Sequence, residues 1–117
     1  MIRVDVARGK ATGVGPLRLG AIKSITVKGH SGQAEHGKDI VCAAASVTIY
    51  TAAGALSELC GAPEQNVKIS EGYFKLPVPD FTDPCKSNNA QVIMEAAYIG
   101  FKQIEASYPG YVKVEDK

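Results

Sequence analysis

A chain of 117 residues, 45% of them hydrophobic, suffices for one modest core between two packed layers, so residues 1–117 are read as a single domain. Lys and Arg number 13 against 12 Asp and Glu, and neither sign forms a block, which removes the electrostatic footprint of a nucleic-acid or anionic-membrane binder. Met1–Val6 alternates charged with apolar residues and has no signal-peptide core, no apolar run reads as long enough to span a membrane, and three cysteines without a Cys-x-x-Cys pair predict no disulfide framework; a cytoplasmic protein with reduced thiols is expected.

Ile2, Val4 and Val6 alternate with Arg3 and Asp5, the period of a half-buried strand. Residues 9–20 read as a loop, because Gly13-Val14-Gly15-Pro16 breaks any regular pattern. A second strand follows, with Ala21, Ile25 and Val27 on one side, Lys23 interrupting that side, and Ser24, Thr26 and Lys28 on the other; it ends at Gly29. From Ile40 the period changes. Val41, Ala45, Thr48, Ala52, Ala55, Leu56 and Leu59 recur at helical steps, Asp39 suits the N-cap, and Gly61 and Pro63 supply the stop. Val67 and Ile69, the turn Glu71-Gly72, and then Phe74, Leu76 and Val78 predict an antiparallel hairpin.

Residues 80–88 read as turn-rich, after which Ala90, Ile93, Met94, Ala97, Phe101, Ile104 and Tyr108 keep helical spacing up to Pro109-Gly110. The predicted order β-β-α-β-β-α makes an α+β fold of two layers, a four-stranded antiparallel sheet with both helices on one face. Its other face then needs a cover or a partner. Tyr111–Val114 is a candidate additional edge strand.

Chemistry concentrates between residues 29 and 46. With Asp39 as N-cap, Cys42 is the third helical residue, where unpaired amides and the positive helix end favour a thiolate and supply oxyanion donors. His30, on the loop that feeds this helix, is placed to hold that thiolate as an ion pair, acting first as base and then as acid. Ser46 sits one turn later on the same face, within reach of the reacting group. Asp39 has two readings: turned to His30 it orients the ring, turned inward it only caps the helix. Gly29, Gly32 and Gly37 predict a flexible loop that closes over substrate, and His36 is a rival base. Against this stands the ordinary reading of each residue alone: Cys42, followed by three alanines, as a small core residue, and His30 as a turn histidine.

Two other chemistries fail on the same stretch. Residues 32–38 match the phosphate-loop pattern of two glycines and a lysine, but Asp39 stands where Ser or Thr would meet magnesium and puts negative charge where phosphate should rest. His30, His36 and Cys42 are too evenly spread to resemble zinc-ligand pairs. No metal or cofactor is expected.

Gly29-His30-Ser31-Gly32, followed by Gly37-Lys38-Asp39-Ile40-Val41-Cys42-Ala43-Ala44 and Ser46, resembles the bacterial ribosomal-processing cysteine protease Prp family. The likeness continues through Glu71-Gly72-Tyr73, Gly100–Ile104 and Tyr108–Val112. It implies a cysteine endopeptidase with His30 and Cys42 as dyad and Asp39 and Ser46 in support. The implied substrate is the N-terminal extension of a large-subunit ribosomal protein, number twenty-seven, cut after a pair of phenylalanines during ribosome assembly, so an apolar cleft is expected near Cys42. The family also implies a homodimer. The chain departs from the family pattern at residues 9–20, where a shorter turn is usual. Two rivals remain in view: a non-catalytic module binding a ribosomal protein or the ribosome, with Cys42 inert, and an RNA-binding domain, which the near-zero charge opposes.

Overall fold

The structure, a computed structural model, describes residues 1–9, 20–29, 36–63, 67–70 and 72–116, with backbone alone for 36–39. The expected loop at 9–20 lies almost wholly outside them. Strands β1 (Ile2–Arg8) and β2 (Ile22–Lys28) precede helix α1 (His36–Cys60); then come β3 (Lys68–Ser70), β4 (Tyr73–Pro77), helix α2 (Pro84–Ser107) and β5 (Val112–Asp116).

The fold is α+β as expected, but the sheet has five strands, in the order β3-β4-β2-β1-β5, and is mixed rather than antiparallel. The fifth is the segment after Pro109-Gly110. It pairs parallel to β1, Ile2 opposite Val112 and Val4 opposite Val114, which puts its valines on the buried side. A parallel neighbour needs a long crossover, and α2 with its preceding turn supplies it.

One core lies between the sheet and both helices, built from Val4, Val6, Ile25 and Leu76 below and Val41, Leu56, Met94 and Phe101 above. The opposite sheet face carries Arg3, Asp5, Lys28, Lys75 and Lys113, with Lys28 3.4 Å from Asp5. Such a face is stable in water, so the expectation that it needs a cover is withdrawn.

Lys23, the polar interruption of the second strand, is a bulge. Ala7 pairs with Ser24 but Arg8 with Ile22, so Lys23 is skipped, stays exposed, and Ile22 turns into the core in its place. The displaced backbone of Ile22 is completed by the buried side chain of Gln91 from α2. Its Oε1 accepts from Ile22 N–H at 2.8 Å, and its Nε2 donates to Ile22 C=O at 3.0 Å. A side-chain amide thus stands in for a strand.

In α1 the buried stripe is Val41, Ala45, Ile49, Ala52, Leu56 and Cys60. Expected core residue Leu59 is 69% exposed, while Ile49 and Cys60 are buried. The stripe turned because α1 is apolar on nearly every side. Over Ile40–Cys60 its length and mean hydropathy of 1.7 would suffice to cross a membrane, contrary to the sequence reading. Its buried stripe belongs to the core shared with the sheet.

α2 starts earlier than the Ala90 start expected. Asp83 caps it, accepting from Cys85 N–H at 2.9 Å, and Pro84 occupies the first turn, where a missing N–H costs nothing. Two helical glycines differ in their reasons. A Cβ on Gly100 would lie 3.3 Å from Thr48 Cγ2, so glycine there permits close approach of α2 to α1. A Cβ on Gly54 would meet nothing within 4 Å, although glycine inside a helix costs about 1 kcal/mol relative to alanine.

Arg8 ties the far edge together. Its side chain is only 5% exposed. Nε donates to both Asp116 carboxylate oxygens at 2.8 and 2.9 Å, Nη1 to Glu95 Oε2 at 2.6 Å and Gly20 C=O at 3.0 Å, and Nη2 to Glu95 Oε1 at 3.1 Å. The guanidinium also lies 5.2 Å from the ring centre of Tyr98. Glu95 foremost, then Asp116, pushes its pKa up, so the cation persists. One side chain therefore joins β1, β5, α2 and both ends of the 9–20 connection.

Replacing Arg8 by Met would leave two partly buried carboxylates without their cation. Urea unfolding of Arg8→Met should show a loss of about 2 kcal/mol; a loss below about 0.5 kcal/mol, the scale of an exposed pair, would contradict this role.

Candidate active site

Cys42 follows Val41 in the buried stripe, so the packing of α1 places its side chain at the rim of the core, half buried. None of the three cysteines is in a disulfide: Cys60 is buried, Cys85 exposed and Cys42 between them. Around Cys42 is a concavity of about 160 Å³ whose wall includes Ser46, Gly29, Gly72, Tyr73 and Ile69. Cys42 and Ser46, expected one turn apart on one face, thus open into the same space. His30, the expected base, and Gly32 lie outside the described residues, but Gly29, the residue bonded to His30, is part of this wall.

Gly29 is held on three sides. Its N–H donates to Gly72 C=O at 2.8 Å, its φ is +86°, and a Cβ would lie 2.6 Å from Met1 C=O. Left-handed backbone and close approach both demand glycine here. Gly29 is therefore a post that only glycine forms without strain, on the wall of the Cys42 concavity.

The helix start differs from the expectation. α1 begins at His36, so Asp39 is not its N-cap, Gly37 lies in its first turn rather than in the connecting loop, and Cys42 is the seventh helical residue instead of the third. An acidic residue suits a helix's first turn as well as its cap, so Asp39 in the sequence does not mark the boundary. The correction has a chemical consequence. Helix-dipole stabilisation fades beyond the first turn, and the amide of residue 42 now falls inside the helical ladder. Assistance to the sulfur from helix-start amides, and their use as oxyanion donors, loses its geometric basis. The weight passes to the imidazole expected from residue 30. The side chains of His36 and Asp39 are outside the description, as is the orientation of Asp39.

A second concavity adjoins the first. A groove of about 340 Å³ runs between α1 and the β3–β4 hairpin, lined by Tyr50, Gly54, Val67, Ile69, Phe74 and Leu76 among others. Tyr50, Ile69 and Phe74 border both spaces, and the Tyr50 ring meets Phe74 edge-on at 5.2 Å. The sequence reading anticipated an apolar cleft near Cys42 but not its walls. Ile69, expected on the first strand of the hairpin, is 63% exposed and lines this groove. Among the described residues no cluster of three His, Cys, Asp or Glu could hold a metal ion.

A half-buried thiol in a concavity beside an apolar groove, on a helix seated on a small α+β sheet, fits the class of a compact thiol hydrolase. Residues 1–113 match the family Cysteine protease Prp. The ribosomal processing cysteine protease Prp of Bacillus subtilis (strain 168) is 32% identical over 94 residues, covering 80% of this chain and 84% of the relative. The protein of the same name from Staphylococcus aureus is 26% identical over 99 residues, 84% of this chain and 90% of that one. Among solved structures, the essential ribosomal processing protease Prp from S. aureus in complex with a substrate peptide superposes with a TM-score of 0.78 at 24% identity, over 100% of both chains. SMU.848 from Streptococcus mutans gives 0.77 at 26% identity, over 99% of this chain and 93% of the other. The chain belongs to the Prp family and is a cysteine protease of the ribosomal-processing type.

Gly29→Ala tests the post. Strain and the Met1 clash should cost about 2 kcal/mol in urea unfolding, and kcat/KM for peptide cleavage should fall by about tenfold or more in protein that is still folded. Wild-type activity in a folded Gly29→Ala protein would show that the position of Gly29 does not govern the site.

Proposed function

We propose that this protein removes the N-terminal extension of a large-subunit ribosomal protein, number twenty-seven, in the cytoplasm during ribosome assembly, by hydrolysis through an acyl-enzyme on Cys42. The observation that carries the reading is the shared concavity: Cys42, Ser46 and the residue preceding His30 line one space, which shares a wall with an apolar groove, in a chain of the Prp family. The S. aureus structure bound to a substrate peptide supports peptide binding by this fold.

His30 takes the thiol proton as sulfur attacks the scissile carbonyl, returns it to the leaving amine, and then activates the water that frees the acyl group. Ser46 lies within the same space to hold the substrate or the sulfur, and Asp39 supports the ring. No cofactor takes part. Apolar side chains before the scissile bond lie against Tyr50, Ile69 and Phe74. The protease acts as a homodimer, and the surface best suited to it is the outer face of the helices. There Val47 is 64% exposed, Val92 58% and Ile99 54%, whereas the open sheet face is charged.

Incubation with the extended ribosomal protein should yield a shortened product whose new N-terminus follows two phenylalanines. Cys42→Ala and His30→Ala should each reduce the rate at least about a thousandfold, and light scattering should give twice the chain mass. Undiminished cleavage by Cys42→Ala would defeat the assignment of the nucleophile, and a monomer at micromolar concentration would remove the dimer.

A further inference from the structure

Gly54 is a glycine without an internal reason. It lies in the middle of α1, where glycine weakens the helix. Gly100 is accounted for by Thr48 pressed against it, but an added Cβ at Gly54 would meet no atom of the described chain within 4 Å. The exposed space it leaves belongs to a groove. Gly54 is on the floor of the apolar groove, between Ala53 and Ser57 on the helix side and Val67 and Ile69 on the hairpin side. A bare helix backbone in an apolar groove is what an incoming chain needs for close approach.

The groove also has a direction. It shares the wall of Tyr50, Ile69 and Phe74 with the Cys42 concavity, so a chain crossing these side chains would pass from one space to the other. β3 is the edge of the sheet, with Lys68 and Ser70 on the open face and Ile69 opposite Phe74 on the helix face. A segment added beside an edge strand sends alternate side chains to each face, and here one set would enter the groove. Gly54 is twelve residues beyond Cys42, about 18 Å along a helix, and an extended chain covers that in about five residues.

We propose that the groove beside Gly54 is a distal subsite of the cleft, which takes an apolar side chain of an extended peptide lying along β3, about five residues from the bond presented to Cys42. The inference rests on reading the Cys42 site as the place of cleavage. It makes Gly54 a specificity-determining residue: its missing side chain is the room in which the substrate's side chain lies. It also sets a minimum substrate, since a peptide too short to reach from Cys42 to Gly54 forfeits this contact.

Two pairs of internally quenched peptides test it, each with two phenylalanines before the bond. Within a pair the peptides differ only in leucine or aspartate about five residues away, upstream in one pair and downstream in the other. In one of the pairs, wild-type protein should show a KM about tenfold lower for leucine than for aspartate, with kcat unchanged. Gly54→Leu and Gly54→Asp should erase that preference by raising KM for the leucine peptide to that of the aspartate peptide. Thermal unfolding of Gly54→Leu should be at or above wild type, because the added side chain meets open space and favours the helix.

Indifference of the wild type to the distal residue in both pairs, or an unchanged preference in Gly54→Leu, would overturn the proposal. If no peptide is cut at all, the failure lies with the reading of Cys42. Anisotropy of the labelled peptides on Cys42→Ala then tests the groove separately, the same tenfold preference in Kd being expected and its absence overturning it.

Discussion

The seating of α1 on the sheet is the constraint from which the site follows. Val41, Ala45, Ile49, Ala52, Leu56 and Cys60 press one side of the helix onto the strands, and a helix held along so much of its length cannot rotate without exposing that stripe. Cys42 is one residue off the stripe, so its sulfur is neither buried with Val41 nor turned to open water. Rotation by one position in either direction would lose the site: one way the thiol joins the core, the other way it leaves the concavity it shares with Gly29. The side of α1 next to the β3–β4 hairpin then becomes one wall of the groove, with Tyr50 and Gly54 upon it.

The sheet supplies the other half through particular residues that hold its strands in register. Gln91 completes the backbone of Ile22 beside the bulge at Lys23, at the start of β2, the strand that Gly29 follows. Gly29 is fixed in turn by Gly72 and by the backbone of Met1. At the opposite edge Arg8 gathers Glu95, Asp116 and Gly20. Glu105 accepts the N–H of Val114 at 2.7 Å, with its carboxyl held below the usual range by Lys102 and then by that amide. These ties keep β5 and α2 in place without touching the site. The proposed site thus rests on a sheet held by these contacts, with the groove beside its edge strand β3.

Much of this was legible in the sequence where one pattern had one solution. The β3–β4 hairpin, the α2 stripe from Ala90 to Phe101, and the placing of Cys42 and Ser46 on one side of α1 all come from local spacing, and the structure places them accordingly; Glu71 of the expected turn lies outside the described residues. The phase of α1 was not legible, because a helix with alanine, valine and isoleucine on several faces offers more than one stripe. Nor was its beginning, since Asp39 is equally at home as cap or in a first turn. The fifth strand was visible as Val112-Lys113-Val114, but its parallel pairing depends on where α2 delivers the chain. Arg8 meets Glu95 and Asp116, and Gln91 meets Ile22, across 69 to 108 positions, and no short-range pattern announces such contacts. Gly54 was silent for a different reason: what it faces, on the present reading, is another molecule.

The cysteines contain their own internal standards for the central claim, that α1 holds the sulfur of Cys42 reachable beside an imidazole delivered from Gly29. Cys60 is sealed in the core and Cys85 stands in solvent near the start of α2. Iodoacetamide labelling of the native protein at neutral pH, followed at each cysteine by mass spectrometry, should modify Cys42 faster than Cys85 and leave Cys60 untouched, with His30→Ala slowing Cys42 alone. Labelling of Cys42 as slow as that of Cys60, or a Cys42 rate indifferent to His30, would contradict the account.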